Sequence, residues 1–174
     1  MHILLGIIAV LGGIAFFIWR VRSTAEAARD VVEAVDDIRA TARRYNHGRK
    51  TKVNPLENVE DNRVAAATIL AAFARMDGDY TREQLVAIKE ECKRVFNTSE
   101  EEAVEITGQS RWLMEQTANV DEAIRRLSRV LRRALDVEEK KQLLTMVTYI
   151  STIEGGQMSE AQEQGLSQLS RQLA

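Results

Sequence analysis

The stretch Val64-Ala-Ala-Ala-Thr-Ile-Leu-Ala-Ala-Phe-Ala-Arg-Met-Asp-Gly-Asp-Tyr-Thr-Arg-Glu-Gln84 decides the fold. Its first half has apolar residues at helical spacing, ending near Phe73, which predicts a helix with a face wide enough for a core. Gly78 stands just past the expected helix end, where a positive φ is needed. Thr81 then caps a second helix, with Gln84 completing a capping box. The stretch predicts two helices joined by a sharp acidic break.

Length and composition set the broad class. The chain has 174 residues, enough for one domain with a buried core and an appendage. A single proline and abundant Ala, Leu, Glu, Arg and Gln favour helix throughout. A formal net charge of −2 argues against a nucleic-acid partner. The lone Cys92 excludes an internal disulfide, and its helical spacing from apolar neighbours predicts that it is buried.

The N-terminus predicts a membrane anchor. Residues 3–19 form an uncharged apolar run of 17 residues, and Arg20 and Arg22 follow it directly. A cleaved signal peptide is the alternative, but its basic residues should precede the apolar run. We therefore expect an uncleaved, single-pass transmembrane helix within residues 1–22. The positive-inside rule then places the N-terminus outside and the domain in the cytoplasm.

Small residues mark one face of this predicted membrane helix. Gly6, Ala9 and Gly13 are spaced by three and four residues, so they share a face. Small residues allow a second membrane helix to approach closely, which predicts packing against an integral membrane protein complex. The alternative is that glycine is simply common in membrane helices.

Residues 23–53 are predicted to form a helical stalk and a basic polar linker. Val31, Val35 and Ile38 belong to a series of positions at steps of three and four, as in a coiled-coil seam. Such a seam would serve a homodimer or a hetero-complex. A helix lying on its own domain is the alternative.

Residues 54–174 are predicted to form a compact antiparallel helical bundle. Pro55 stands at the first position of an opening helix. Ser99, Asp136 and Ser159 begin further helices, each with Glu or Gln three residues later. The loops between these helices are short, as in antiparallel bundles. The predicted fold class is therefore all-α, with an N-terminal transmembrane helix and stalk.

The unit Met76-Asp77-Gly78-Asp79-Tyr80-Thr81 between two helices, with an echo at Glu154-Gly155, resembles the TerB family of tellurite-resistance-associated proteins. The resemblance covers roughly residues 54–174. With the anchor, the chain is also similar to the front half of the DjlA co-chaperone family. Pro55 is the only proline, so the His-Pro-Asp motif of a J domain is absent from this sequence. The resemblance implies stress response or scaffolding at the bacterial inner membrane.

The resemblance also implies a divalent-metal site at the two breaks. Oxygen ligands suit Ca²⁺ or Mg²⁺. Family members tend to carry an acid where Gln84 and Gln162 stand here, so we expect weak binding at most. The alternative is that the acids merely favour helix N-termini. The implied ligands are Asp77, Asp79, Glu83, Glu154 and Glu160.

The sequence indicates no catalytic site, but it does indicate one basic surface. The sequence has no phosphate loop, G-x-S-x-G or H-E-x-x-H motif, so we expect no enzyme. Five arginines fall opposite the apolar face of the helix that begins near Val120. This face is either neutralised by neighbouring acids, such as those at Glu100–Glu105, or docks an acidic partner or anionic lipid headgroups. The five are Arg125, Arg126, Arg129, Arg132 and Arg133.

These features together predict a binding protein. The leading hypothesis is an adaptor or accessory subunit of an integral membrane complex, respiratory or stress-related, on the cytoplasmic face. The alternative is a divalent-metal-responsive sensor linked to tellurite or oxidative stress.

Overall fold

The computed structural model describes residues 32–43, 55–117 and 119–174. Within these ranges every regular element is a helix and no strand occurs, so the predicted all-α class is confirmed. Residues 32–43 form α1, and a single 3₁₀ turn covers Pro55–Asn58. The remaining helices are α2 (Asn62–Ala74), α3 (Arg82–Phe96), α4 (Glu100–Glu115), α5 (Val120–Ala134), α6 (Val137–Thr152) and α7 (Glu160–Leu173).

Helix α2 lies at the centre of the bundle. Every residue from Val64 to Ala74 is buried, and α3, α4, α5 and α6 all contact the helix. The run of alanines explains this position, because small side chains let neighbouring helices approach from several sides. Asp61 starts the helix by accepting a hydrogen bond from the Arg63 backbone N–H at 2.8 Å.

Four of the predicted helix starts are confirmed, whereas the opening helix predicted at Pro55 is a 3₁₀ turn, and α2 begins only at Asn62. Thr81, Ser99, Asp136 and Ser159 each cap a helix, and each cap is part of a reciprocal capping box. Two backbone N–H groups that would otherwise lack partners are thereby satisfied at each of these starts. The caps divide the chain into helices of similar length, and the short connections fold them against one another.

Helix α1 lies on the bundle rather than apart from it. The compact unit runs from Ala34 to Ala174, so it begins before the predicted domain start at residue 54. A Cβ added to Gly108 of α4 would lie 2.6 Å from the Thr41 Cβ and 3.2 Å from the Ile38 carbonyl oxygen. The glycine therefore permits a close approach between α1 and α4 that any other residue would obstruct.

This packing agrees with the second alternative for the stalk, a helix lying on its own domain. Val35 and Ile38 are 1% and 0% exposed within the chain's own compact unit. They are therefore not available as a seam between two chains in this structure, and the alternative of a helix lying on its own domain describes residues 34–43. Val31 lies outside the described residues.

The predicted transmembrane helix also lies outside the described residues. Gly6, Ala9 and Gly13, together with the rest of residues 1–22, belong to that part of the chain. Among the helices that the structure does describe, none combines the length and the apolar character that a membrane crossing needs.

Candidate functional site

The two interhelical breaks meet around one cavity of about 320 Å³. Three of the five predicted metal ligands, Asp77, Asp79 and Glu154, line this cavity, whereas Glu83 and Glu160 do not. Polar residues dominate the remainder of the wall. The other lining residues are Ala74, Gly78, Gln84, Ser151, Gln157, Met158, Ser159 and Gln162.

Backbone geometry at each break brings the acids to the cavity. In the first break, the Gly78 N–H donates to the Arg75 carbonyl at 3.2 Å, and Gly78 has a φ of 141°. In the second, the Gly156 N–H donates to the Thr152 carbonyl at 3.1 Å, and two successive glycines have positive φ. Both turns leave the acid just before the first glycine exposed at the cavity rim.

One of the two capping glutamines also contacts a neighbouring helix. Gln84 and Gln162 are both buried, and each accepts a backbone N–H of its own cap residue at 3.0 Å. The Gln162 Nε2 also donates to the Phe73 carbonyl of α2 at 3.2 Å. Gln84 makes no equivalent hydrogen bond through its Nε2 to any residue that the structure describes. Gln162 thus uses both its amide oxygen and its amide nitrogen, whereas Gln84 uses only its oxygen within the described structure.

The acids at the cavity are not neutralised locally. Asp77 accepts a hydrogen bond from the Ser159 hydroxyl at 2.9 Å, which ties the first break to the start of α7. Within the described ranges, Asp77, Asp79 and Glu154 have no ion-pair partner. No Lys, Arg or His is among the residues that line the cavity. The rim therefore has a concentration of negative charge.

The metal site stays a prediction. In the part of the chain that the structure describes, no group of three or more His, Cys, Asp or Glu side chains is placed to hold a metal ion. Three of the implied ligands share the cavity, but as separate groups around its rim.

Ser151 is a cavity residue that the sequence reasoning missed. It is 3% exposed, and its hydroxyl has no hydrogen-bond partner among the described residues. The signal was present in the sequence, because Ser151 lies four residues after Val147 and so falls on the inward face of α6. A hydroxyl at an inward helical position, close to an acidic break, indicates a polar site.

The basic face of α5 is largely unpaired. Arg126 pairs with Glu122 of the same helix at 2.6 Å. The other four arginines are exposed and form no ion pair with any described residue. Val130, which is 39% exposed, lies among them. We call Arg125, Arg129, Val130, Arg132 and Arg133 the arginine face.

The acids at the start of α4 do not neutralise this face. Glu100 accepts hydrogen bonds from Lys89 and Lys93 of α3, the latter at 2.7 Å. These hydrogen bonds hold the pKa of Glu100 below its usual value. Glu102 lies 4.0 Å from Arg63. The neutralising pairs that the sequence suggested therefore form mainly on other helices.

The predicted burial of Cys92 is confirmed. Its side chain is fully buried, and this burial raises the pKa of the thiol to about 12, against the opposing effect of a hydrogen bond with Thr107. The thiol therefore stays protonated at neutral pH and behaves as a small apolar side chain.

A second cavity, of about 470 Å³, was not anticipated from the sequence. It lies where the start of α2 meets the end of α3 and the α5–α6 connection. Apolar side chains such as Phe96, Leu135 and Met146 line it together with polar ones such as Glu60 and Glu139. Its wall comes from three separate stretches of the chain, residues 60–66, 95–96 and 134–146, so no single stretch of sequence indicates it.

Comparisons with models of known families, with curated proteins and with solved structures find no match to this chain.

Proposed function

We propose that the chain is a membrane-anchored, TerB-like helical adaptor that docks an acidic surface of an integral membrane complex, as an accessory subunit on the cytoplasmic face. The arginine face of α5 is the observation that carries this proposal. Four exposed arginines without ion pairs to the described residues present positive charge on one side of one helix. Such a surface attracts an acidic partner and orients it.

The arginine face has the composition of a protein interface. Arginine is enriched at interfaces because its guanidinium forms bidentate pairs with carboxylates and is weakly hydrated. Val130 adds an apolar contact among the charges. The anchor predicted within residues 1–22 would hold this face near the membrane, and a complex embedded there would meet it at high effective concentration.

Charge reversal on the arginine face tests the proposal. The double variant Arg129→Glu and Arg133→Glu should reduce co-purification of membrane-complex subunits from gently solubilised membranes by roughly tenfold or more. Arg171→Glu is the matched control, because Arg171 is an exposed arginine on a different helix, α7. Equal loss in the control, or no loss in the double variant, would contradict docking through α5.

Anionic lipid headgroups are the other acidic surface that would attract these arginines. Vesicles with and without phosphatidylglycerol separate the two cases. Binding of the wild-type chain to anionic vesicles that is lost in the double variant, without any loss of protein co-purification, would assign the face to lipid.

The membrane part of the proposal has two tests. Protease should digest the domain in inverted vesicles and spare it in intact spheroplasts, and the reverse result would refute the topology. Gly13→Leu keeps the predicted span apolar but adds bulk to its small-residue face. If that face recognises the complex, the variant should stay in the membrane fraction and lose co-purification.

A divalent-metal sensor is the second candidate function. The observation in its favour is that Asp77, Asp79 and Glu154 line one cavity. A site with a micromolar Kd would stabilise the fold by ~4 kcal/mol at 1 mM metal. We expect a much smaller effect from Ca²⁺ or Mg²⁺, because neutral Gln84 and Gln162 stand beside these acids. A large rise in Tm that disappears in Asp77→Asn would favour the sensor over the adaptor.

A further inference from the structure

The cavity between the two breaks has unbalanced negative charge and no basic residue in its wall. Asp77, Asp79 and Glu154 belong to two segments far apart in sequence, yet all three line the same space. None of them has an ion-pair partner in the described ranges. Like charges held around one cavity repel each other, and a bound cation would remove this repulsion.

An open hydrogen-bonding group accompanies the charge. The Ser151 hydroxyl is buried in the cavity wall without a partner among the described residues. An unsatisfied buried polar group destabilises the fold until a partner reaches it. The hydroxyl oxygen can accept a hydrogen bond, so an N–H donor that enters the cavity would supply this partner.

The size of the cavity favours a molecule over a bare ion. Its volume of about 320 Å³ is at the lower end of the range for small-molecule sites. The three carboxylates surround this space without converging on a single point within the described structure. A cationic group with several N–H donors can reach separated carboxylates together, which a single small ion does less well.

Apolar atoms complete the wall. Ala74 and Met158 line the same cavity as the acids. Methionine adapts its shape to a flexible chain, and the methylene stems of cationic groups pack on such surfaces while the charge stays among polar atoms. The wall thus combines a place for an alkyl chain with a place for its charged head.

We infer that this cavity binds an organic cation, an alkyl ammonium or alkyl guanidinium, with its charge among Asp77, Asp79 and Glu154 and with the Ser151 hydroxyl as a hydrogen-bond acceptor. The same chemistry occurs in free diamines and in the lysine or arginine side chain of a protein. The site shares no residue with the arginine face, so a failure of either proposal leaves the other intact.

Calorimetric titration of the full chain in a nonionic detergent, with agmatine as the probe, tests the inference. Agmatine should bind, and added salt should weaken the binding. Asp79→Asn and Glu154→Gln should each reduce the affinity by roughly fivefold, since both carboxylates are exposed at the rim. Glu83→Gln is the matched control, because this acid also lies at the start of a helix nearby but does not line the cavity. This variant should bind agmatine as tightly as the wild-type chain does.

Ser151→Ala gives a readout that separates binding from folding. Removing a buried hydroxyl that lacks a partner should leave the Tm unchanged or raise it. The same change should reduce agmatine affinity by roughly threefold or more if the hydroxyl contacts the cation. Opposite effects on Tm and on affinity support the site.

Two probes distinguish the sources of the cation. Agmatine represents a free small molecule, and the blocked peptide acetyl-Gly-Arg-Gly-amide represents a side chain of a partner protein. Tighter binding of agmatine assigns the cavity to a metabolite, whereas tighter binding of the peptide assigns it to a protein. The inference fails if neither binds, if binding is unchanged in Asp79→Asn and Glu154→Gln, or if equimolar Ca²⁺ abolishes it.

Discussion

The two helix–break–helix units, α2–α3 and α6–α7, share their local chemistry but differ in their surroundings. Asp77-Gly78 and Glu154-Gly155 stand 77 positions apart, and a capping box with a glutamine follows each. Ala72 of α2 and Tyr149 of α6 are also 77 positions apart, but Ala72 is 0% exposed and Tyr149 is 50% exposed. The first unit supplies the central helix of the bundle, and the second covers it.

This difference shows what a local repeat determines. Caps and glycines set where a helix starts and stops, so in both units a glycine follows the first helix and a capping box starts the second. Side-chain size sets how many neighbours a helix can have, so only the alanine-rich α2 is surrounded. At the same offset of 77 positions, Ser151 of α6 corresponds to Ala74 of α2, and both residues line the cavity. The polar member of this pair is the one left without a hydrogen bond.

The largest expected effect comes from placing a charge at equivalent positions of the two helices. Ala71 is buried, and Thr148, at the same offset, is exposed. Ala71→Lys should lower the free energy of unfolding by about 3 kcal/mol or more, because it buries an unpaired ammonium. Thr148→Lys should change it by less than ~0.5 kcal/mol. Urea unfolding followed by circular dichroism measures both; similar losses would show that α6 is as enclosed as α2.

Most of the helical architecture follows from residues that act locally. The capping boxes at Thr81, Ser99, Asp136 and Ser159 are each contained within four residues, so their sequence signal is complete. The position of α1 is different. It depends on Gly108, far away in the chain, where a missing Cβ admits Thr41. The seam residues of α1 look the same in sequence whether their partner is another chain or the chain's own α4.

The next effect concerns the glycines of the two breaks. Gly78 has a φ of 141°, a region that essentially only glycine adopts, whereas Gly155 has a φ of 77°, near the left-handed helical region. A Cβ would meet no atom within 4 Å at either position, so only backbone strain differs. Gly78→Ala should cost about 1–3 kcal/mol and Gly155→Ala about 1 kcal/mol.

Asparagine substitutions sharpen this second comparison. Asn tolerates the left-handed region better than Ala does, so Gly155→Asn should recover part of the lost stability. Gly78→Asn should recover little. Melting temperatures of the four variants provide the measurement, and an equal rescue at both positions would mean that the two turns are equivalent after all.

A smaller effect should distinguish the capping glutamines. Gln162 holds its own cap and also donates to the Phe73 carbonyl, whereas Gln84 holds only its cap. Gln162→Ala should therefore be more destabilising than Gln84→Ala by about 1 kcal/mol, the typical net contribution of one hydrogen bond. Chemical denaturation of the two variants decides this. Equal losses would show that the link to α2 contributes nothing.

The candidate site was predictable only in part. Asp77, Asp79 and Glu154 stand beside glycines, and the resemblance of both breaks to one family implied that they act together. Nothing in the sequence states that Gln162 reaches across to α2 or that Gln84 does not. Such asymmetry arises from the packing of two helices that are neighbours only in the folded chain.

The smallest effect concerns a charge network that only the first unit has. Lys89, eight residues after the Thr81 cap, is buried and pairs with Glu100 of α4 and with Glu90. Its counterpart, eight residues after the Ser159 cap, is the exposed Ser167. A contribution to stability that is lost at low pH should therefore come from α3 and its neighbours, and not from α7.

The direction of this pH dependence follows from Glu100. Hydrogen bonds from Lys89 and Lys93 lower its pKa from the ordinary value of 4.5. A carboxylate whose pKa is lower in the folded state stabilises the protein above its unfolded pKa, and this stabilisation is lost as the pH falls through the folded pKa. Glu100→Gln should therefore lower stability at pH 7 and show a smaller further loss below pH ~4.5 than wild type.

Glu83→Gln is the control for this last prediction. Glu83 lies in the first turn of α3, as Glu100 does in the first turn of α4, so both substitutions remove a favourable interaction with a helix N-terminus. Only Glu100 also accepts hydrogen bonds from two lysines. Glu100 is about half exposed, so the difference between the variants at pH 7 should stay below ~1 kcal/mol. Urea titrations at pH 7 and pH 3.5 measure how much stability each variant loses in acid. If this loss is reduced equally in both variants, the interaction with the helix N-terminus, rather than the hydrogen bonds from the two lysines, explains the pH dependence.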